Sequence, residues 1–144
     1  MSSGGHGSAL DRLAAELEEP VARLGIQGLS TTRLEVLLSR AECRAWRVES
    51  IEDPGVITAC CPLGSGRTTL ACARPPLAEP ASGAFLVARS LPVGPGRWVL
   101  LGRPAVVSRS EAGKFELLLR SLRAPRGEFW RVHGGVLVQA ARAA

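Results

Sequence analysis

The sequence predicts an α+β fold, mostly β, in which an N-terminal helical segment precedes a small five-stranded β-barrel. Three observations carry that expectation. Leucines recur at helical spacing in the first third of the chain. From Trp46 the apolar period shortens toward two. Turns built on Gly and Pro then divide the remainder into short apolar runs. The 144 residues are one domain's worth and long enough to bury a core. The expected partition is a disordered tail over 1–8, a helical segment over 9–45 and the β-rich domain over 46–144.

Taken in order, Gly and Ser dominate the start, and Ser8 opens the first helix with Asp11 three residues on. Leu10, Leu13, Leu17 and Leu24 form its stripe, and Pro20 bends or ends it. Gly25 and Gly28 mark a break. A second helix starts at Thr31 or Thr32 with Glu35 at the capping-box position, and presents Leu34, Leu37, Leu38 and Ala41. Both stripes read as packing surfaces for the β part. Trp46, Val48 and Ser50 alternate with Arg47 and Glu49, and Asp53-Pro54-Gly55 turns into a strand over 56–61. Gly64-Ser65-Gly66 leads to a strand over 68–74, and the Pro-rich loop 75–83 to another over 85–91.

The strongest strand signal runs from Gly94 to Leu122. Trp98–Val107 reads as a long strand bent at Gly102–Pro104, turning at Ser108–Gly113 into a partner strand, Phe115–Leu122. The latter also fits a helical face, with Phe115, Leu118, Leu119 and Leu122 on one side and Glu116–Arg120 as an i,i+4 pair. The tight turn before it favours strand. Phe129 and Trp130 follow Pro125-Arg126-Gly127, and Gly134-Gly135 interrupts any helix there.

Charge is unevenly placed. Residues 1–53 hold nine acidic and six basic side chains, a net of −3; residues 54–144 hold four and twelve, a net of +8. A positive surface on the β part would face nucleic acid or an acidic protein; alternatively Arg is simply the solubilising residue of this composition. No apolar run approaches the length of a membrane span, and the first residues lack the regions of a secretory signal. The expectation is a protein of the nucleus or cytoplasm without a membrane partner. Cys43, Cys60, Cys61 and Cys72 form no C-x-x-C pair, and His6 and His133 sit in no ligand-like spacing, which argues against zinc and for four reduced thiols. Cys60 and Cys61 are expected on opposite faces of a strand, one buried and one at the surface.

Catalytic patterns fail individually. The run GSGRTT at 64–69 has Arg67 where a phosphate-binding loop needs Lys, and Cys61 where it needs the first Gly. Ser65 lacks a base, since only His133 is available without a triad around it. No catalytic residue, metal ligand or cofactor is assigned, and an enzyme is not expected.

The order of elements suits an oligonucleotide/oligosaccharide-binding (OB) barrel. Pro95-Gly96-Arg97-Trp98-Val99-Leu100-Leu101-Gly102 resembles the P-G-[KR]-aromatic-V strand 4 of the small OB-fold subunit of the RecQ-helicase–topoisomerase III genome-stability complex. Phe129-Trp130 resembles the apolar residue and tryptophan of that family's last helix, and Leu10–Leu17 its pre-barrel helix. The resemblance implies a non-catalytic subunit of a DNA-repair complex that docks on another OB-fold protein, as a hetero-oligomer, with Phe129, Trp130 and Val132 as candidate contacts. The alternative is a basic single-stranded nucleic-acid-binding OB module using Arg67, Arg74, Arg89, Arg97, Arg103 and Arg109. The small number of aromatic residues, three Trp and three Phe, weighs against a stacking platform. A β-rich adaptor unrelated to nucleic acid is the third reading.

Overall fold

The computed structural model describes residues 4–53, 55–64, 66–76 and 78–143. Residues 1–3 of the expected tail lie outside these, as do Pro54 and Ser65 of the expected turns. Two helices come first, α1 (Gly4–Arg23) and α2 (Thr31–Leu38). Five strands follow: β1 (Glu42–Asp53), β2 (Val56–Cys60), β3 (Arg67–Cys72), β4 (Phe85–Gly94) and β5 (Arg97–Val107). Helices α3 (Ala112–Ser121) and α4 (Phe129–Ala143) end the chain.

The strands form one mixed sheet in the order β1-β2-β3-β5-β4, and β4 pairs back onto β1, so the hydrogen-bonded ladder closes on itself. Every neighbouring pair is antiparallel except β3 with β5, which is parallel, with Leu70 opposite Trp98. Alternate residues point inward and make one apolar cluster from Trp46, Val48, Ile57, Leu70, Leu86 and Leu100 among others. The outer surface is covered in two places. Leu17, Val21 and Leu24 of α1, with Leu34 and Leu37 of α2, lie on Ala71, Leu91, Val93 and Val99. Phe115 and Leu119 of α3, with Trp130, Leu137 and Ala141 of α4, lie on Ala45, Phe85, Val87, Ala105 and Val107. Apolar cover on both sides explains why β4 reads as a nearly unbroken apolar run.

The N-terminal helices follow their leucine stripes with two adjustments. Helix α1 begins at Gly4, ahead of Ser8, and continues through Pro20 to Arg23. Helix α2 is capped by Ser30, whose Oγ accepts from the Arg33 amide at 3.1 Å, so Glu35 is not at the capping position. An eight-residue helix is marginal alone. Burying Leu34 and Leu37, each worth roughly 1.5–3 kcal/mol, is what holds it.

Three expectations for the C-terminal half are corrected. The hairpin is β4–β5, closed by Pro95-Gly96, with Gly96 at φ +64°; Pro followed by a positive-φ Gly is the chemistry of a type II turn. Trp98–Val107 is therefore the fifth strand, not the fourth. Its bend is a bulge: β5 advances from Leu101 to Ala105 while β4 advances only from Arg89 to Val87, and Gly102 takes φ +68°. Second, Phe115–Leu122 is helical. Both edges of β5 are already occupied, by β4 and by β3, so no strand position is left beside it. Phe115 and Leu119 face the sheet one turn apart, and Arg120 pairs with Glu116 at 2.9 Å. Third, Gly134-Gly135 does not interrupt α4, which runs through both. With two C-terminal helices, helix and strand each make up roughly a third of the chain, without the expected excess of β.

Candidate functional site

Helix α4 is seated by an absence of side chain. A Cβ on Gly134 would overlap the Cys43 carbonyl oxygen and stand 3.0 Å from the Cys43 Cβ, so only glycine lets the helix lie against the β1 backbone. Trp130, Gly134, Leu137 and Ala141, recurring every three or four residues, form the buried face. The opposite face carries Val132 and Val136, 52% and 62% exposed and one turn apart, with Gly135 in open space beside them.

The three candidate contacts thus occupy different positions. Trp130 is buried, Phe129 is half-buried, and Val132 is exposed. Phe129 packs edge-on against Trp130, ring centroids 5.0 Å apart, and lies 5.1 Å from the His133 ring. His133 Nε2 donates to the Arg123 carbonyl oxygen at 2.6 Å, tying the start of α4 to the preceding loop. Val136 escaped the sequence reading because the glycine pair before it read as a helix end.

The six candidate arginines are spread over β3, β4, β5 and the segments that follow β3 and β5. Arg67 opens β3 and is paired with Glu49 at 2.9 Å; Arg74 follows β3 and is bonded to Glu16 of α1 at 3.1 Å. Arg89, Arg97, Arg103 and Arg109 are exposed and hold no carboxylate among the described residues. Arg89 lies opposite Leu101, and Arg103 follows two residues on, within the β5 bulge. Arg97 shares a cavity of about 520 Å³ with Arg33 beside the start of α2, and the Arg109 side chain passes over Gly83. No aromatic ring is exposed: Trp46, Trp130, Phe85 and Phe115 are buried, and Trp98 and Phe129 are half-buried. Bases therefore have no stacking platform.

Sequence reasoning missed Arg44. Its side chain is mostly enclosed, bonded to Glu42 at 2.7 Å and surrounded by the rings of Trp46, Trp98 and Trp130. The signal was present as Glu42, Arg44 and Trp46 at period two, which puts all three on one face of β1.

The thiols depart from the one-buried, one-exposed expectation. Cys60 and Cys61 are both half-buried, and Cys72 is the buried one. Burial pushes the Cys72 thiol up to about 11. Cys60 is also raised, first by burial and then by its hydrogen bond to Glu49 and that carboxylate's charge. Gly66 is followed by strand β3, not by the helix a phosphate loop requires. No helix among the described residues is long and apolar enough to cross a membrane. No protein-family model, curated protein or solved structure matches the chain.

Proposed function

We propose that the chain is a non-catalytic subunit with an OB-type barrel that docks through α4 on a larger protein partner, itself an OB-fold protein, in a DNA-maintenance complex. The barrel part of this reading is supported by the strand order β1-β2-β3-β5-β4 with its single parallel pair. The docking part rests on one observation: Val132 and Val136 form an exposed apolar stripe on a helix whose other side is fixed to the sheet. Rigidly held apolar anchors suit a protein groove better than a polyanion.

The test compares the unmodified chain with Val132→Asp/Val136→Asp in recovery from native extract by mass spectrometry. The expected outcome is a stoichiometric OB-fold protein that is lost from the double variant, while thermal stability stays within about 0.5 kcal/mol, as for surface changes generally. Equal recovery by both chains would falsify the docking reading.

The second reading, a nucleic-acid contact, is favoured by the four arginines without carboxylate partners. Without exposed rings such binding is electrostatic. It should be micromolar or weaker and fall steeply between low and physiological salt. Tight, salt-insensitive binding of single strands contradicts this description.

A further inference from the structure

All three tryptophans of the chain meet at one arginine. The guanidinium carbon of Arg44 lies 4.4 Å from the ring centroid of Trp98, 5.6 Å from Trp46 and 5.9 Å from Trp130. Nε of Arg44 donates to Glu42 Oε1 at 2.8 Å, and Nη2 lies 2.7 Å from the same oxygen. The Arg44 side chain is only 22% exposed and that of Glu42 26%. A planar cation with aromatic rings around it and a carboxylate on its edge is the arrangement that recognises a guanidinium group. The ring quadrupoles attract the charge, and the carboxylate takes the N–H donors.

The Trp46 wall, on the sheet side of the cage, is held independently of Arg44. Trp46 Nε1 donates to Ser90 Oγ at 3.0 Å, and the Ser90 hydroxyl in turn donates to the Ala88 carbonyl at 3.0 Å. Trp46 and Trp98 stand 5.3 Å apart. These two rings and Glu42 belong to β1 and β5, whereas Trp130 is the first buried side chain of α4. The occupant of the cage therefore touches sheet and helix at once, one turn before the Gly134 contact.

We propose that Trp46, Trp98, Trp130 and Glu42 build a guanidinium-binding site that Arg44 fills from within the chain, and that its occupancy holds α4 in place on the sheet. The consequence for docking rests on α4 being the partner-facing helix. Arg44 is then a positioning residue: it touches no partner, and it sets where Val132 and Val136 stand.

The experiment is amide hydrogen exchange on the full chain, without partner, for the unmodified protein and Arg44→Ala, each with and without millimolar methylguanidinium. In Arg44→Ala the α4 amides should exchange roughly tenfold to thirtyfold faster, while β2 and β3 keep their rates and tryptophan emission shifts to the red. Methylguanidinium, but not sodium at equal ionic strength, should bring both readouts back. Arg44→Lys should recover only part of the protection, because an ammonium cannot match the planar fork.

Unchanged α4 exchange, a uniform loss across sheet and helix, or indifference to methylguanidinium each overturns the proposal. If Arg44→Ala does not fold, Trp98→Leu reads the same exchange with the Arg44–Glu42 pair intact, and unchanged α4 rates there overturn it equally. Partner recovery separates the two ideas. A loosened α4 that still recovers the partner in full leaves the cage standing and removes the docking reading.

Discussion

The two helical layers that cover the sheet are built from different materials. The α1/α2 layer is aliphatic, with Leu17, Val21, Leu24, Leu34 and Leu37 on strand residues of similar size, and its outward side is charged, including Glu16, Glu18 and Glu19. The α3/α4 layer holds Phe115, Phe129 and Trp130 and brings a helix backbone onto a strand backbone at Gly134. Its outward side includes Leu117, 70% exposed, as well as Val132 and Val136. One layer is a cover whose water-facing side is mostly charged, with Val36 its one large exposed apolar residue among the described residues. The other is fixed by close, shape-dependent contacts and leaves apolar groups outside, the combination on which the docking proposal rests.

The largest effect should come from the cover. Leu17 is fully buried between α1 and the sheet. Leu17→Ala removes its contacts and leaves a cavity, so a loss of about 2–5 kcal/mol is expected in chemical denaturation. The unfolding should remain one cooperative transition, because α1 packs on the same sheet as α4. Two separated transitions would show that the layers are independent units.

Next in size is the glycine pair of α4, which sharpens the contrast within a single helix. Gly134→Ala drives a methyl group into Cys43, and the expected cost is about 1–3 kcal/mol, as for overpacking elsewhere. Gly135→Ala meets open space, and should stabilise by about 0.5–1 kcal/mol through helix propensity alone. Equal effects at the two positions, read from thermal midpoints, would mean that α4 does not lie against β1 as described.

That pair also shows why the sequence was only partly legible. Period-two alternation identified the strand around Trp46, and Gly/Pro turns set off the short apolar runs around Ile57, Leu70 and Phe85. It could not decide Phe115–Leu122, whose apolar residues satisfy both periods; the choice was made by β3 occupying the free edge of β5, a contact across some thirty residues that no local pattern encodes. The glycines of α4 looked like a break because their reason lies on β1. The expected contacts Phe129, Trp130 and Val132 stopped short of Val136 for the same cause. Arg44 was overlooked because it fell in the expected helical segment 9–45, as a basic residue suiting the C-terminal end of the second helix, whereas β1 begins at Glu42; the three rings around it come from positions 46, 98 and 130.

A third effect reports on the sheet interior between the layers. The Cys72 thiol is held at about 11 in the folded state against an ordinary 9.0, so the folded protein keeps a proton that the unfolded chain gives up. Its contribution is complete below pH 9 and is lost as pH rises from 9 through 11. The steepening amounts to about 2 kcal/mol by the top of that range. It should disappear from urea midpoints in Cys72→Val, relative to the unmodified chain at each pH. A variant with the same alkaline slope would show that Cys72 is not the group responsible.

The smallest effect on stability should be the most telling about the two outward sides. Val36 of α2 and Val136 of α4 are similarly exposed, at 51% and 62%, Val36 in the last turn of its helix and Val136 in the middle of its own. Val36→Glu and Val136→Glu should each change stability by less than about 0.5 kcal/mol, because neither gives up much buried area. Their consequences for binding should differ. The glutamate at 136 stands beside Val132 and would have to be desolvated without a partner on docking, so recovery of the protein partner should fall by an order of magnitude or more. The glutamate at 36 joins a side that already carries Glu35 and other charge, and recovery should be unchanged. Loss of the partner with Val36→Glu and retention with Val136→Glu would place the recognised surface on α2, and reverse the roles of cover and contact between the two layers.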